Sequence, residues 1–187
     1  MIFSPISRIV NGVKEGVKAS LEGVTDIGST IIGVIRKITV TTFKGGSEFV
    51  TKGVESAASI VKGAVTGITG VGASVVDAIK GIVIGTIGGV MEAGGEPKKA
   101  VRGAVAQAIH SAKELGLDVG SVAVEAVKGA IEGTKTVGGD VVEATKGAVS
   151  AAMEAAQDIG GGAVEAVKSS LSSGVEGVKD IIETLKK

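Results

Sequence analysis

The feature that most constrains this chain is an 11-residue repeat that runs without a gap from Ala130 to Thr184. Successive units read AIEGTKTVGGD, VVEATKGAVSA, AMEAAQDIGGG, AVEAVKSSLSS and GVEGVKDIIET. Eleven residues make three helical turns at about 3.67 residues per turn, so residues one unit apart lie on the same stripe. The repeat therefore predicts an all-α protein of long amphipathic helices, with aliphatic side chains on one face and Lys and Glu on the other.

The same register continues towards the start of the chain and collects further aliphatic residues into columns. The apolar arc spans about 130–160°, which is wider than the seam of a coiled coil. We therefore expect the columns to contact an extended apolar surface. The residues assigned to that contact are Val13, Val24, Ile35, Val54, Val65, Val76, Ile87, Ile131, Val142, Met153, Val164 and Val175.

Glycine and the shortage of large side chains determine what these helices need. The chain contains 31 glycines and three phenylalanines, with no tryptophan, tyrosine or cysteine. A glycine inside a helix costs about 1 kcal/mol relative to alanine, and compact cores normally use large side chains. The sequence thus predicts little conventional globular core and helices that need lipid, another apolar particle or further copies of the chain.

Glycine-rich breaks divide the chain. Residues 45–47, Gly-Gly-Ser, predict a helix stop and a new N-cap, and Gly94–Pro97 predicts a hinge or helical hairpin. An interruption is also expected at residues 116–120, whereas the 11-residue register passes unshifted through Gly160–Gly162 and leaves a break there open. The predicted segments are an N-terminal amphipathic helix (1–46), an apolar glycine-rich central helix (47–95) and C-terminal repeat helices (96–187).

The central helix carries few charges. Between Gly63 and Met91 only Asp77 and Lys80 are charged, which predicts burial in an assembly or in lipid. Its glycines recur at four-residue spacing, a pattern that lets helices approach closely. Whether this element crosses a bilayer stays open at this point. The glycines assigned to close helix packing are Gly63, Gly67, Gly81, Gly85 and Gly89.

Residues with catalytic chemistry are scarce. The single histidine, His110, lies in a helical context, AVAQAIHSAKEL, without a second histidine or a cysteine one turn away. No nucleophile–base pair, phosphate-binding loop or cysteine ligand accompanies it, so we expect neither an enzyme nor a cofactor, metal site or small-molecule substrate. Twenty basic and 20 acidic residues cancel, so charge gives no reason to expect a nucleic-acid partner.

The segments VKEGVKASLEGVTDIGST (13–30) and IVKGAVTGITGVGASVVDAIKG (60–81) resemble the 11-residue repeats of synuclein. The whole chain is similar in kind to perilipin-type lipid-droplet proteins and late embryogenesis abundant proteins. The resemblance implies helices that form on contact with lipid or on drying. Here, however, lysine marks only one border of the apolar arc, and the central run is more apolar than a desiccation protectant requires.

Three functions follow as expectations. The first is a non-catalytic structural protein that binds or partly inserts into a membrane or lipid-like surface and self-associates. Its location would be cytoplasmic, at such a surface, since the first residues show no signal-peptide pattern. The second is a homo-oligomeric bundle or tube, which the lack of Trp and Tyr interface anchors favours. The third is a stress protectant like the late embryogenesis abundant proteins.

Overall fold

The structure, a computed structural model, describes residues 5–45 and 53–185. Those residues form nine α-helices. The predicted N-cap at Ser47 and the domain boundary between residues 46 and 47 lie outside them, so the three-segment division stays a prediction. The helices are α1 (Pro5–Leu21), α2 (Ile27–Lys44), α3 (Gly53–Gly70), α4 (Val75–Glu92), α5 (Pro97–Glu114), α6 (Val119–Thr136), α7 (Val141–Ile159), α8 (Ala163–Gly174) and α9 (Lys179–Thr184).

Alternate helices form two layers. Helices α1, α3, α5 and α7 lie side by side in one layer and α2, α4, α6 and α8 in the other, because each packs most extensively on the helix two places along the chain. Within each described range, tight turns reverse the chain between layers, so the helices that these turns join are antiparallel. The short α9 contacts both α7 and α8. The arrangement is a stacked array of helical hairpins, in which each unit contacts mainly its neighbours.

Two 11-residue units make one helix and one turn. Helices α3 to α8 begin at intervals of 22 residues, at Gly53, Val75, Pro97, Val119, Val141 and Ala163. Their turns contain glycines with positive φ at the same interval, namely Gly72, Gly94, Gly116, Gly138 and Gly160. Glycine adopts this left-handed conformation without the steric cost of a Cβ atom. Every second repeat unit therefore ends a helix instead of extending it.

Side-chain caps start the next helix after several of these turns. Asp118 accepts a hydrogen bond from the backbone N–H of Ser121 at 2.9 Å, and Asp140 accepts one from Glu143 at 3.0 Å. These caps satisfy N–H groups that a helix leaves without partners at its first turn. A positive-φ glycine followed by a capping residue thus closes one helix and opens another.

The prediction of long amphipathic helices with little globular core is wrong, although every element of the described chain is helical. The helices have six to 19 residues, and turns at Gly23 and Gly72 split the continuous helices expected before residue 45 and between residues 48 and 93. Gly160–Gly162 also break the helix, because Gly160 and Gly161 have positive φ. Backbone conformation at these glycines outweighs the unshifted side-chain register. The break expected at Gly94–Pro97 is one turn among several of the same kind.

A contiguous aliphatic core fills the array, contrary to the expectation drawn from composition. Ile35, Ile60, Ile79 and Ile87 have no exposed surface, and buried Val, Ala and Leu side chains connect them from α1 to α9. Large aromatic side chains are not needed, because glycine lets neighbouring helices approach until small side chains fill the space at normal density. The apolar faces contact one another, so the helices provide the partner surface that each of them requires.

Candidate functional site

The side chains expected to contact an external apolar surface do not share one outward face. Val142 is 66% exposed at the start of α7. Five others are buried in the core: Val13, Ile35, Val65, Ile87 and Val175. The remaining six are half-buried: Val24, Val54, Val76, Ile131, Met153 and Val164. Most of this predicted surface is therefore used for contacts between helices of the same chain.

The glycines assigned to close packing lie between helices of the same layer. A methyl group built on Gly63 of α3 would lie 2.6 Å from the carbonyl oxygen of Val10 in α1. Gly67 faces α1 in the same way, and Gly81 and Gly89 face α2. A methyl group on Gly85 of α4 would lie 2.7 Å from the carbonyl oxygen of Ile32 in α2. In each case the absent side chain allows backbone-to-backbone approach.

The first surface that the described helices leave uncovered is a groove of about 900 Å³ between α1 and α2, here called the end groove. Arg8 and Lys37 supply its charged side chains, and no acidic residue lines it. Its apolar and small lining residues include Ile9, Gly12, Gly16, Gly33, Val34 and Ile38. The end groove lies at the start of the array, where no described helix precedes α1.

The glycines of the end groove lie away from the contact between α1 and α3, although Gly16 faces α2, where a methyl group on it would lie 3.1 Å from Ile38 Cδ1. The carbonyl oxygens of Val10 and Lys14 mark the side of α1 that contacts α3. Gly12 and Gly16 each lie two residues further on, about 200° around the helix. A methyl group on Gly12 or on Gly33 of α2 would have no described atom within 4 Å apart from those of its own helix and chain neighbours. Gly12 and Gly16 have the same four-residue spacing as Gly63 and Gly67, but the glycines predicted to pack closely did not include them.

The second uncovered surface is a groove of about 470 Å³ between the N-terminal halves of α5 and α7, here called the side groove. Ion pairs cross it from Lys98 to Glu143 and from Arg102 to Glu154, each at 2.7 Å. The hydrogen bond to Glu143 raises the pKa of Lys98 above its usual value. Its apolar lining includes Pro97, Val101, Ala144 and Ala151.

Thr134 also lines the side groove, although it is only 1% exposed. Among the described residues its hydroxyl oxygen has no hydrogen-bond partner. Other helical threonines donate to the carbonyl four residues earlier, as Thr86 does to Ile82 at 2.8 Å. A buried hydroxyl without a partner is uncommon, so the side groove combines apolar walls with an unused donor.

The single histidine lies beside a carboxylate. His110 Nε2 lies 3.8 Å from Asp158 Oδ2 on a partly exposed surface. Within residues 5–45 and 53–185, no group of three or more His, Asp or Glu side chains is placed to hold a metal ion. Over the same ranges, none of the helices combines the length and the hydropathy needed to span a bilayer.

Comparisons with protein-family models, curated proteins and solved structures find no match to this chain. The grooves and the repeated helix contacts are therefore the observations from which a function can be argued.

Proposed function

We propose that this protein is a non-catalytic helical-repeat scaffold that joins end to end with further copies of itself. The observation that carries the proposal is the end groove. Inside the array, the glycine faces of α3 and α4 are covered by α1 and α2, whereas no described atom of another helix lies within 4 Å of a methyl group added to Gly12 or Gly33. A repeat array extends by adding units to such a face, and a terminal repeat normally needs a polar outer face to stop it.

The opposite end of the array supplies a suitable partner. Val142 on α7 lies 44 residues after Lys98 on α5, so the two residues occupy equivalent positions. Lys98 pairs with Glu143 of α7, the next helix of its layer, so Val142 is on the side of α7 where a further helix would lie. Val142 is 66% exposed and Leu185, just after α9, is 48% exposed. Exposed aliphatic side chains at one end therefore match an apolar groove at the other.

Net charge favours contact between unlike ends. Residues 5–45 contain six basic and three acidic residues, whereas residues 141–187 contain seven acidic and five basic residues. Two end grooves facing each other would bring Arg8 and Lys37 of both copies together, which is unfavourable. A contact between unlike ends is heterologous, so it produces a ring if the rotation closes and a filament if it does not.

Mixing two blocked variants tests this arrangement. Gly33→Lys obstructs the end groove and Val142→Lys obstructs the opposite end, while Thr66→Lys adds the same side chain to an exposed position on α3, within the array. Sedimentation velocity across a concentration series should show association for the parent chain and for Thr66→Lys, and monomers for each blocked variant alone. An equimolar mixture of the blocked variants should form a one-to-one complex, because each retains one free end.

The same experiment distinguishes contact between unlike ends from contact between two end grooves. Dimers of Val142→Lys alone, without incorporation of Gly33→Lys, would show that two end grooves contact each other. A parent chain that stays monomeric at every concentration would overturn the scaffold proposal. Circular dichroism and thermal unfolding of each variant establish that the array is intact before association is interpreted.

Binding to a lipid surface is a second candidate function. This candidate is favoured by the aliphatic faces that the helices bury in the core. If the helices separated at the turn glycines, these faces would form a wide apolar arc. Lipid binding would then require opening, so backbone amides of α3 and α4 should lose hydrogen-exchange protection on vesicles of mixed neutral and anionic lipid. Unchanged protection, or no flotation with vesicles, would contradict this candidate.

A further inference from the structure

The glycine of α7 that lines the side groove lies further from the neighbouring helix than the glycines at the equivalent positions of α4 and α5 do. A methyl group on Gly147 of α7 would lie 3.8 Å from Val101 of α5. At the equivalent positions 66 and 44 residues earlier, a methyl group on Gly81 of α4 would lie 2.5 Å from Ile31 in α2, and one on Gly103 of α5 would meet the backbone of Val54 in α3. The glycine contact that closes the other interfaces is thus relaxed here, and the space between the helices is left open.

The chemistry of the side groove limits what would fill it. Lys98 and Glu143 pair with each other across it, as do Arg102 and Glu154, so these four side chains offer no uncompensated charge to an ion. Between them lie aliphatic walls that include Val101, Ala144 and Ala151. A volume of about 470 Å³ falls within the range of small-molecule sites.

Thr134 adds one specific requirement. Its hydroxyl can donate a hydrogen bond, and no described group accepts it. An alcohol would accept this bond but would bring a hydroxyl proton that also needs an acceptor. A ketone or ester oxygen accepts and brings no donor, so it completes the hydrogen bonding of the groove without leaving a new unpaired group.

We propose that the side groove between α5 and α7 binds an uncharged aliphatic carbonyl compound. The hydrocarbon chain lies along Val101, Ala144 and Ala151, and the carbonyl oxygen accepts a hydrogen bond from Thr134. The proposal does not depend on end-to-end assembly, because none of these residues lines the end groove.

A titration of the full chain with 2-decanone, monitored by methyl NMR, tests the site. Saturable shifts are expected at Val101, Ala144 and Ala151, while Val34 and Ile38 in the end groove stay unchanged. Decane is the matched probe without an acceptor, and it should bind more weakly. Decanoate tests whether charge dominates instead, because Lys146 also lines the groove and no ion pair to it is seen among the described residues. Tighter binding of decanoate than of 2-decanone would contradict the preference for an uncharged compound.

Two variants separate the contribution of the Thr134 hydroxyl to binding from that of the groove volume. Thr134→Val keeps the shape but removes the donor, and it should weaken 2-decanone binding by about tenfold while leaving decane binding unchanged. Gly147→Leu fills the groove and should abolish binding of both probes, whereas Gly12→Leu in the end groove should not affect either. Thermal unfolding reports whether each variant is folded, and Thr134→Val keeps the proposal testable if Gly147→Leu is not.

Three further results would overturn the proposal. They are the absence of any saturable shift, shifts confined to the end groove, and equal affinities of Thr134→Val and the parent chain for 2-decanone. Because these residues are remote from the end groove, failure here would leave the association experiment unaffected.

Discussion

The contact between α2 and α4 and the outer face of α1 and α2 use the same sequence device with opposite results. Gly81, Gly85 and Gly89 recur every four residues on α4, and α2 lies directly on them. Gly12 and Gly16 recur at the same spacing on α1 and line the end groove, where a methyl group on Gly16 would meet Ile38 of α2 at 3.1 Å and one on Gly12 would have no described atom of another helix within 4 Å. Glycine spacing therefore identifies a surface built for a helix, and the position of that surface in the array decides whether the same chain covers it.

The largest difference between the two faces should appear when isoleucines of α2 are truncated. Ile35 has no exposed surface where α2 meets α4, so Ile35→Ala should lower the free energy of unfolding by about 2–5 kcal/mol. Ile38 is half-buried in the end groove, so Ile38→Ala should cost clearly less. Urea denaturation of the two variants provides the measurement. Equal losses would mean that the two sides of α2 are equally buried.

Adding one methyl group to a covered glycine should have the next largest effect. In Gly85→Ala the new Cβ would lie 2.7 Å from the Ile32 carbonyl oxygen and 2.8 Å from Ile35 Cβ. The helices must separate, and overpacking of this kind should destabilise the protein by about 1–3 kcal/mol. The change in thermal midpoint checks this expectation. A Gly85→Ala protein as stable as the parent would contradict the close helix contact.

The same substitution in the end groove should have the opposite sign. Gly33→Ala places a methyl group where no described atom is recorded within 4 Å, at a helical position without positive φ. Alanine restricts the unfolded chain more than glycine does, so stability should rise by about 0.4–1 kcal/mol. Urea denaturation at a concentration where the protein is monomeric measures this gain. A loss would show that another part of the protein occupies the groove.

The smallest effect concerns the start of α2, which helps to position the end groove. Hydrogen bonds from the Ser29 hydroxyl and backbone N–H lower the pKa of Asp26 below its usual value. A carboxyl group with a lowered pKa stabilises the fold above its unfolded-state pKa and loses that contribution as the pH falls through its folded-state value. The stability advantage of the parent chain over Asp26→Asn should therefore shrink below about pH 4. A constant difference between pH 7 and pH 3 would contradict this role.

The interface between α5 and α7, which forms the side groove, can be compared with the other two. Gly147 has no side chain to keep a neighbouring helix away, yet α5 does not approach it closely. A methyl group added to Gly147 would lie 3.8 Å from Val101. Two ion pairs span this interface, and among the described residues the buried Thr134 hydroxyl has no hydrogen-bond partner. Glycine thus permits close approach without enforcing it, and the remaining side chains decide how near two helices settle.

The sequence by itself determined the helical class and the small-residue helix contacts, because both depend on local periodicity. It also contained the 22-residue interval, since Gly72, Gly94, Gly116, Gly138 and Gly160 are evenly spaced. That interval was overlooked because the side-chain columns continue through Gly160 without a shift. The pattern of side chains records which face of the helix is apolar, whereas glycine conformation records where the chain turns.

Only the tertiary structure decided which apolar surface each face meets. Val142 belongs to the same column as Met153 and Val164, yet it is 66% exposed while they are half-buried. Val142 and Met153 lie on the same helix, α7, so the difference depends on which parts of that helix its neighbours cover, and no 11-residue unit encodes that. Burial depends on the number of neighbouring helices, and that number is a property of the assembled fold. For the same reason, the end groove and the unpartnered Thr134 could not have been found before the helices were placed together.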